Sequence, residues 1–252
     1  MKATKTLTAL LAIGVFLSLG GAVPAATIFL GGNALDAANW SNGIPAAGNP
    51  GTVAVDGSFG NLHSAFAGAT ITQTAGTMGG GKAQITTGTT WNLLGGELYF
   101  SRYLQVRNST VNVSGGTVTA TNSSYGTFAP SGNDGGTINI SDSAELTTRT
   151  AGADLGGTID IASGWTGFWH ANDFSTDDWM NRLVNDFDKW TYNGSDITGA
   201  IFDATFEVTP DGKTLSMQTA SGPIVPEPST FLIWSLGLLG LAWYARSRRS
   251  GQ

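Results

Sequence analysis

The stretch Val111-Asn112-Val113-Ser114-Gly115-Gly116 indicates the fold of this protein, because it alternates apolar and polar residues and then ends in two glycines. Alternation with a period of two residues is typical of a half-buried strand. Similar blocks recur along the chain at spacings of 20, 20, 27 and 21 residues, and they begin at Ile71, Trp91, Val111, Ile138 and Ile159. A strand that returns about every 20 residues, with glycine-rich turns between, predicts a β-solenoid with one rung per repeat.

The pattern leaves two all-β architectures open. The first is a right-handed parallel β-solenoid, and the second is an antiparallel β-sandwich of comparable strand density. The regular spacing and the low share of charged residues, 12%, favour the solenoid. We then expect Ile, Val and Leu to stack inside, and Asn, Ser and Thr to form outward or corner ladders. The longest spacing predicts an inserted loop over Tyr125 to Asp134.

Composition excludes several classes of function. The chain has no cysteine, which excludes disulfides, thiolate metal sites and cysteine nucleophiles. Residues 26–224 hold 7 Lys and Arg against 17 Asp and Glu, a formal charge of −10. Such a surface repels phosphate backbones, so we expect no binding to nucleic acid. A hydrophobic content of 41% argues against a disordered chain.

The N-terminal 26 residues have the three parts of a secretory signal peptide. Lys2 and Lys5 make a positive start, residues 7–19 are apolar, and small residues follow. We expect cleavage after Ala25 or Ala26. A retained membrane anchor is the alternative, although the apolar run is short for a membrane span.

The C-terminal residues 225–252 have a different order of features. Pro226-Glu227-Pro228 precedes an apolar run over residues 231–245, and the basic residues Arg246, Arg248 and Arg249 follow it. The run predicts a short transmembrane helix with the arginines on the cytoplasmic side. This order resembles the PEP-CTERM sorting signal, with the tripeptide and the arginines matching its two ends.

The resemblance implies recognition by an exosortase, a membrane-embedded cysteine transpeptidase-like enzyme of bacteria that make exopolysaccharide. The protein would be held briefly in the inner membrane and would then reach the cell surface or the exterior. The resemblance covers 28 residues and concerns delivery, not activity. A plain C-terminal anchor is the alternative interpretation.

A second resemblance lies near the start of the body. The segment Ala38-Asn39-Trp40-Ser41-Asn42-Gly43-Ile44-Pro45 is similar to the entry segment of autotransporter-like β-helical surface proteins. It implies that Trp40 caps one end of the solenoid core and that Asn42-Gly43 makes a turn.

The pattern changes after Gly164, so we expect a solenoid body over residues 27–164 and a cap over 165–224. Ser175-Thr176-Asp177-Asp178 has the character of a helix start. A helix is expected over 176–188. Its apolar face would be formed by Trp179, Met180, Leu183, Val184, Phe187 and Trp190. We expect this face to cover the open end of the solenoid, with partner docking as the alternative.

A hairpin is expected after the helix. Its strands would be Ala200 to Val208 and Thr214 to Thr219, joined by the turn Thr209-Pro210-Asp211-Gly212-Lys213. Phe202, Phe206 and Val208 would then face the same side of the sheet.

Residues that carry chemistry are few and scattered. His63 and His170 are far apart in sequence, and no metal-binding or nucleophile motif occurs. We therefore predict no catalytic site, no metal and no cofactor. Parallel β-helices include polysaccharide lyases and hydrolases, so an enzyme is the alternative. Its candidate residues are Asp142, Glu145, Arg149, Asp154 and Asp160. Asp142 and Asp160 also allow a calcium site between turns, although no Asp-x-Asp-x-Asp run supports it. Asp177 and Asp178 are better explained by helix capping.

Aromatic residues give one candidate for ligand binding. Trp165 and Trp169, beside Phe168 and His170, are a possible surface for stacking on sugars. Packing between the last rung and the helix is the alternative, since tryptophan has much area to bury. Taken together, the sequence predicts a structural or adhesive protein of the cell surface or the extracellular matrix, with weak binding to glycans such as exopolysaccharide.

Overall fold

The computed structural model describes residues 26–63, 66–121, 127–130, 135–151, 157–185 and 189–218. The chain divides into two units, residues 1–217 and residues 218–252. Apart from Gln218, the described residues belong to the first unit, which is a parallel β-solenoid.

The first sheet contains eight parallel strands and one antiparallel strand. In spatial order they are β1 (Thr27–Ile28), β3 (Gly51–Val53), β5 (Thr70–Gln73), β7 (Thr90–Leu93), β9 (Thr110–Val113), β12 (Thr137–Ile140), β15 (Thr158–Ile161), β17 (Lys189–Tyr192) and the antiparallel β18 (Ser195–Asp196). The repeat starts predicted from the sequence align in one register, Ile71 beside Trp91, then Val111, Ile138 and Ile159. Parallel pairing at this register confirms the solenoid and excludes the sandwich.

The second sheet is formed by the strands that alternate with these along the chain. Its parallel members are β2 (Gly32–Asn33), β4 (Gly57–His63), β6 (Thr77–Ile85), β8 (Glu97–Val106), β10 (Thr117–Ala120), β13 (Glu145–Thr148) and β16 (Phe168–Ala171). The antiparallel strands β20 (Thr214–Met217) and β19 (Phe206–Val208) continue the sheet beyond β16.

Three strands of the second sheet are long because they bend. The pairing of β6 with β8 shifts register between Gly80 and Lys82, and beyond that point Lys82–Ile85 pair with Tyr103–Val106. This second half of β8 also pairs with β11 (Thr127–Pro130), which in turn pairs with β14 (Thr150–Ala151). The bends thus start a third strip of parallel strands.

Strand β11 corrects one expectation. Tyr125 to Asp134 were expected to be an inserted loop, but Thr127–Pro130 form a strand in that interval. Phe128 and Ala129 are buried, and the burial of these apolar residues favours a strand over an exposed loop. Residues 125–126 and 131–134 of the interval lie outside the described part.

Inward-facing side chains form one hydrophobic cluster that extends from Phe29 to Leu215. The corners between the sheets bring backbones very close. Gly96 and Gly116 both have positive φ angles, 78° and 79°. A Cβ atom on Gly116 would lie 2.4 Å from the carbonyl oxygen of Gly96, so this corner requires glycine.

The N-terminal end is closed by an aromatic group. The indole N–H of Trp40 donates to the carbonyl of Ala34 at 2.9 Å, and its ring lies 4.9 Å from Phe29 and 6.0 Å from Phe66. Trp40 is buried, and Gly43 forms a turn at a φ of 74°. Both expectations for the entry segment are confirmed.

The C-terminal end carries two helices, α1 (Thr176–Asn185) and α2 (Gly199–Thr205). Helix α1 connects β16 to β17 and buries Trp179 and Leu183, as predicted. Two residues assigned to its apolar face were predicted wrongly. Met180 is 39% exposed, and Trp190 lies in strand β17 beside Ile159, because the helix ends at Asn185. Phe187 lies outside the described residues.

The hairpin exists as β19 and β20, but its first strand is shorter than expected. Residues 199–205 are helical because the hydroxyl of Thr198 caps α2 by accepting from the amide of Ile201 at 3.3 Å. Phe202 is therefore a buried residue of helix α2, whereas Phe206 is a buried residue of strand β19.

The threonine–asparagine face, a candidate binding site

The outer surface of the first sheet carries two straight rows of polar side chains. In strands β7, β9 and β12 the second and fourth residues are buried, and the first and third are half-buried and face outward. One row consists of Thr70, Thr90, Thr110, Thr137 and Thr158, and the other of Thr72, Asn92, Asn112, Asn139 and Asp160. We call these two rows the threonine–asparagine face.

The asparagine row is locked by hydrogen bonds from one rung to the next. The amide nitrogen of Asn112 donates to Oδ1 of Asn92 at 2.7 Å, and that of Asn139 donates to Oδ1 of Asn112 at 2.7 Å. Each amide nitrogen has two N–H groups, so a second donor remains for a partner outside the protein. The outward asparagine ladder expected from the sequence is confirmed.

The row ends in an acidic residue with a structural role. Oδ1 of Asp160 accepts from the hydroxyl of Thr191 at 2.6 Å and from the amide of Gly194 at 2.8 Å. These bonds tie β15 to β17 and to the turn that follows. Asp160 therefore closes the ladder at the cap.

The threonine row keeps its hydrogen-bonding groups available. Within the described part of the chain, the hydroxyls of Thr90, Thr110, Thr137 and Thr158 make no hydrogen bond to protein. Strands β5, β7, β9 and β12 place no charged and no aromatic side chain in either row. Over these four strands the face is thus regular, polar and neutral, and Asp160 on β15 adds a carboxylate at the end of one row.

This face was not predicted as a site from the sequence, although its signal is present there. The pattern Thr-x-Asn occurs at residues 90–92, 110–112 and 137–139. Only the register of the parallel strands shows that these positions align.

The tryptophans proposed for sugar stacking are inside the protein. Trp165 donates its indole N–H to the carbonyl of Ala144 at 2.8 Å, and Trp169 donates to the hydroxyl of Thr148 at 2.7 Å. Trp165 is 2% exposed and Trp169 is fully buried, so neither ring offers a face to a sugar. The alternative, packing at the last rung, is what the structure shows.

The residues considered for catalysis or calcium binding do not converge on one point. Asp142 occupies a corner with a φ of 49°, Arg149 forms an ion pair with Asp173, and Asp160 belongs to the ladder. Glu145 is exposed at the start of β13, and Asp154 lies outside the described residues. No group of three or more potential metal ligands occurs among the described residues.

The histidines and the helix-start carboxylates also have local explanations. His170 contacts the hydroxyl of Thr214 at 2.8 Å; the side chain of His63 is not described. Asp178 accepts from the hydroxyl of Ser175 at 2.6 Å and from its amide at 2.7 Å. These bonds lower the pKa of Asp178 and cap helix α1, as expected for a carboxylate in the first turn.

The predicted sorting residues lie outside the described part of the chain. These are Ala25, Pro226, Glu227, Pro228, Arg246, Arg248 and Arg249, together with the expected transmembrane helix over 231–245. Among the described residues no helix has the length and apolar character needed to cross a membrane.

The described residues define a class, a parallel β-solenoid with a regular polar face and a capped C-terminal end. The comparison with protein families adds the route of delivery, since residues 225–249 match the PEP-CTERM protein-sorting motif. The chain therefore carries this motif, which implies a secreted, envelope-associated protein that an exosortase processes. Neither a curated protein nor a solved structure matches the chain.

Proposed function

We propose that this chain is a non-enzymatic adhesive protein of the cell surface or extracellular matrix, and that it adheres through the threonine–asparagine face. The observation that carries the proposal is the unbroken register of that face over five rungs. Repeated groups make many weak contacts at once, and the stacked core holds them in fixed positions. Binding then gains from multivalency without a deep pocket.

Delivery is consistent with this role. In this proposal the N-terminal residues 1–26 act as a signal peptide for export, and the apolar segment 231–245 holds the precursor in the inner membrane. The exosortase cuts beside Pro226 to Pro228 and releases the body toward the surface. The matching of residues 225–249 to the sorting motif supports this route.

The chemistry of the face suits a neutral, hydroxyl-rich partner better than a charged one. Threonine hydroxyls and asparagine amides both donate and accept hydrogen bonds. The body as a whole is acidic, with a formal charge of −10 over residues 26–224, and repels acidic polymers. We therefore expect this surface to bind neutral exopolysaccharide weakly.

The test is retention in the matrix of the native host. Thr110→Lys places a long charged side chain in the centre of the face and should move the mature protein from the matrix to the medium. Thr147→Lys is the matched control, because Thr147 is an outward, half-buried threonine of β13 in the second sheet. Equal retention of both variants would contradict the proposal, as would release of oligosaccharides from the host polysaccharide by purified protein.

A further inference from the structure

We infer that the ordered partner of the threonine–asparagine face is ice. This inference rests on the proposed adhesive use of the same face and names its ligand. The observations that carry it are the two-dimensional spacing of the rows, their rigidity and the absence of charge from β5, β7, β9 and β12.

The spacing is set by the β-structure itself. Neighbouring rungs lie about 4.8 Å apart, and outward residues two positions apart on one strand are separated by about 6.7 Å. Thr90 and Asn92 are separated by the repeat along one strand, and Thr90 and Thr110 are separated by the repeat between neighbouring rungs. Hydroxyl and amide groups on such a rectangular grid come close to the oxygen positions on the faces of hexagonal ice.

The side chains are also held in place before a ligand arrives. The amides of Asn92, Asn112 and Asn139 are fixed by their mutual hydrogen bonds. Threonine is branched at Cβ and has few rotamers, so its methyl and hydroxyl groups keep a constant orientation along the row. A prearranged surface loses little conformational entropy when it orders water into a lattice.

Charge complementarity favours a neutral lattice. Ions carry hydration shells that do not fit into ice, and strands β5, β7, β9 and β12 contribute no charged group to the face. Charged side chains stand only where the face ends among the described residues: Asp160 closes one row, and Lys189 of β17 pairs with Thr158 beyond the last threonine of the other. Sugar sites commonly use aromatic rings for stacking, and neither row contains one. The face therefore fits ice better than a glycan chain.

The size of the face sets the expected strength. Five rungs extend about 19 Å along the solenoid, and the two rows are about 7 Å apart. A face this narrow should attach weakly, so slowing of ice recrystallisation is the appropriate measurement, supported by partition of the protein into a growing ice front.

The experiment uses mature protein purified from its native host. The unmodified protein and Thr147→Lys should slow recrystallisation at the same concentration and enter the ice fraction. Thr110→Lys should need a concentration at least about tenfold higher. Thr110→Val keeps the branched shape, removes only the hydroxyl and should lie between them, with circular dichroism showing that all variants are folded.

The outcomes separate this inference from the proposed function. Absence of ice binding by the unmodified protein overturns the inference, and so does equal ice activity of Thr110→Lys. If ice binding fails while Thr110→Lys still lowers matrix retention, the adhesive function stands with a glycan as ligand. If ice binding depends on Thr110 but matrix retention does not, the ligand is confirmed and the matrix role is wrong.

Discussion

The rungs and the C-terminal cap both bury large side chains, but they do so by different rules. In the rungs, each interior residue contacts the residue at the same position in the next rung, as with Val111, Ile138 and Ile159. In the cap, Trp169, Trp179 and Trp190 come from a strand, a helix and another strand to fill one space. The rungs repeat the same kind of contact many times, whereas the cap depends on one set of contacts among three tryptophans.

This difference predicts how much stability a substitution costs in each region. In a repeat array, stability is approximately a sum of similar interfaces between neighbours. In the cap, Trp169 has its ring centre 6.1 Å from that of Trp179 and 5.5 Å from that of Trp190, so one ring supports two others. Cap substitutions should therefore cost more than substitutions of ladder residues.

The largest effect is expected for Trp179→Ala. Trp179 is fully buried between Trp169 and Phe174, and replacing such a residue by alanine leaves a cavity. The free energy of unfolding of the mature protein should fall by about 3–5 kcal/mol. Chemical denaturation followed by tryptophan fluorescence and circular dichroism measures it.

Trp179→Phe is the matched control for that prediction. The indole nitrogen of Trp179 is buried and has no hydrogen-bond partner among the described residues. Phenylalanine retains much of the ring and removes this polar group, so its cost should be well below that of alanine. If Trp179→Ala costs less than about 0.5 kcal/mol, as surface substitutions do, the cap is not built around this ring.

A backbone position in the rungs should give the next largest effect. Gly116→Ala requires a side chain at a φ of 79° and places Cβ against the carbonyl oxygen of Gly96. The expected loss is about 2–3 kcal/mol, measured as a shift of the denaturation midpoint. Gly164→Ala is the control from the end of the predicted body, since nothing lies within 4 Å of its added Cβ. Equal effects of the two substitutions would show that the corners do not depend on close stacking.

The same contrast explains what the sequence could predict. Ile71, Val111 and Ile159 stack as expected, because a repeat period and a two-residue alternation are local properties of the chain. Trp190 was wrongly predicted on the apolar face of the helix, because its spacing from Trp179 and Leu183 suits a helix. Its strand is imposed by pairing with β15, which is a property of the assembled sheet.

Two other features were not placed correctly from the sequence, one for a local reason and one for a tertiary reason. The strand predicted from Ala200 to Val208 is a strand only at its end, because the hydroxyl of Thr198 caps a helix over Gly199–Thr205 before β19. The outward ladder was expected from the composition, yet its position on the first sheet follows from the register of β7, β9 and β12. The threonine–asparagine face is therefore a product of alignment between repeats and not of any one repeat.

A smaller effect is expected from the ladder itself. Asn112 makes one bond to Asn92 and receives one from Asn139, both at the half-buried surface. Asn112→Ala should lower the free energy of unfolding by about 1 kcal/mol. A double-mutant cycle with Asn139→Ala should give a coupling energy of about 0.5 kcal/mol or more. Additive losses within error would show that the ladder is not an energetic unit.

The smallest effect concerns pH and the start of helix α1. The hydroxyl of Ser175, and then its amide, hold the pKa of Asp178 below its ordinary value of 3.8. A carboxyl whose pKa is lower in the folded state stabilises the protein above its ordinary pKa. That contribution is lost as pH falls from the ordinary value through the lowered one.

Asp178 is close to solvent, so screening should keep its contribution below about 1 kcal/mol. Asp178→Asn removes it, and the difference in stability between the unmodified protein and this variant should be present at neutral pH and shrink as the pH falls below 3.8. Asp177→Asn is the control, because the bonds from Ser175 reach Asp178 and not its neighbour. Thermal unfolding of all three proteins across the acid range measures the effect. A difference that stays constant with pH would mean that the Ser175 cap acts without the charge of Asp178.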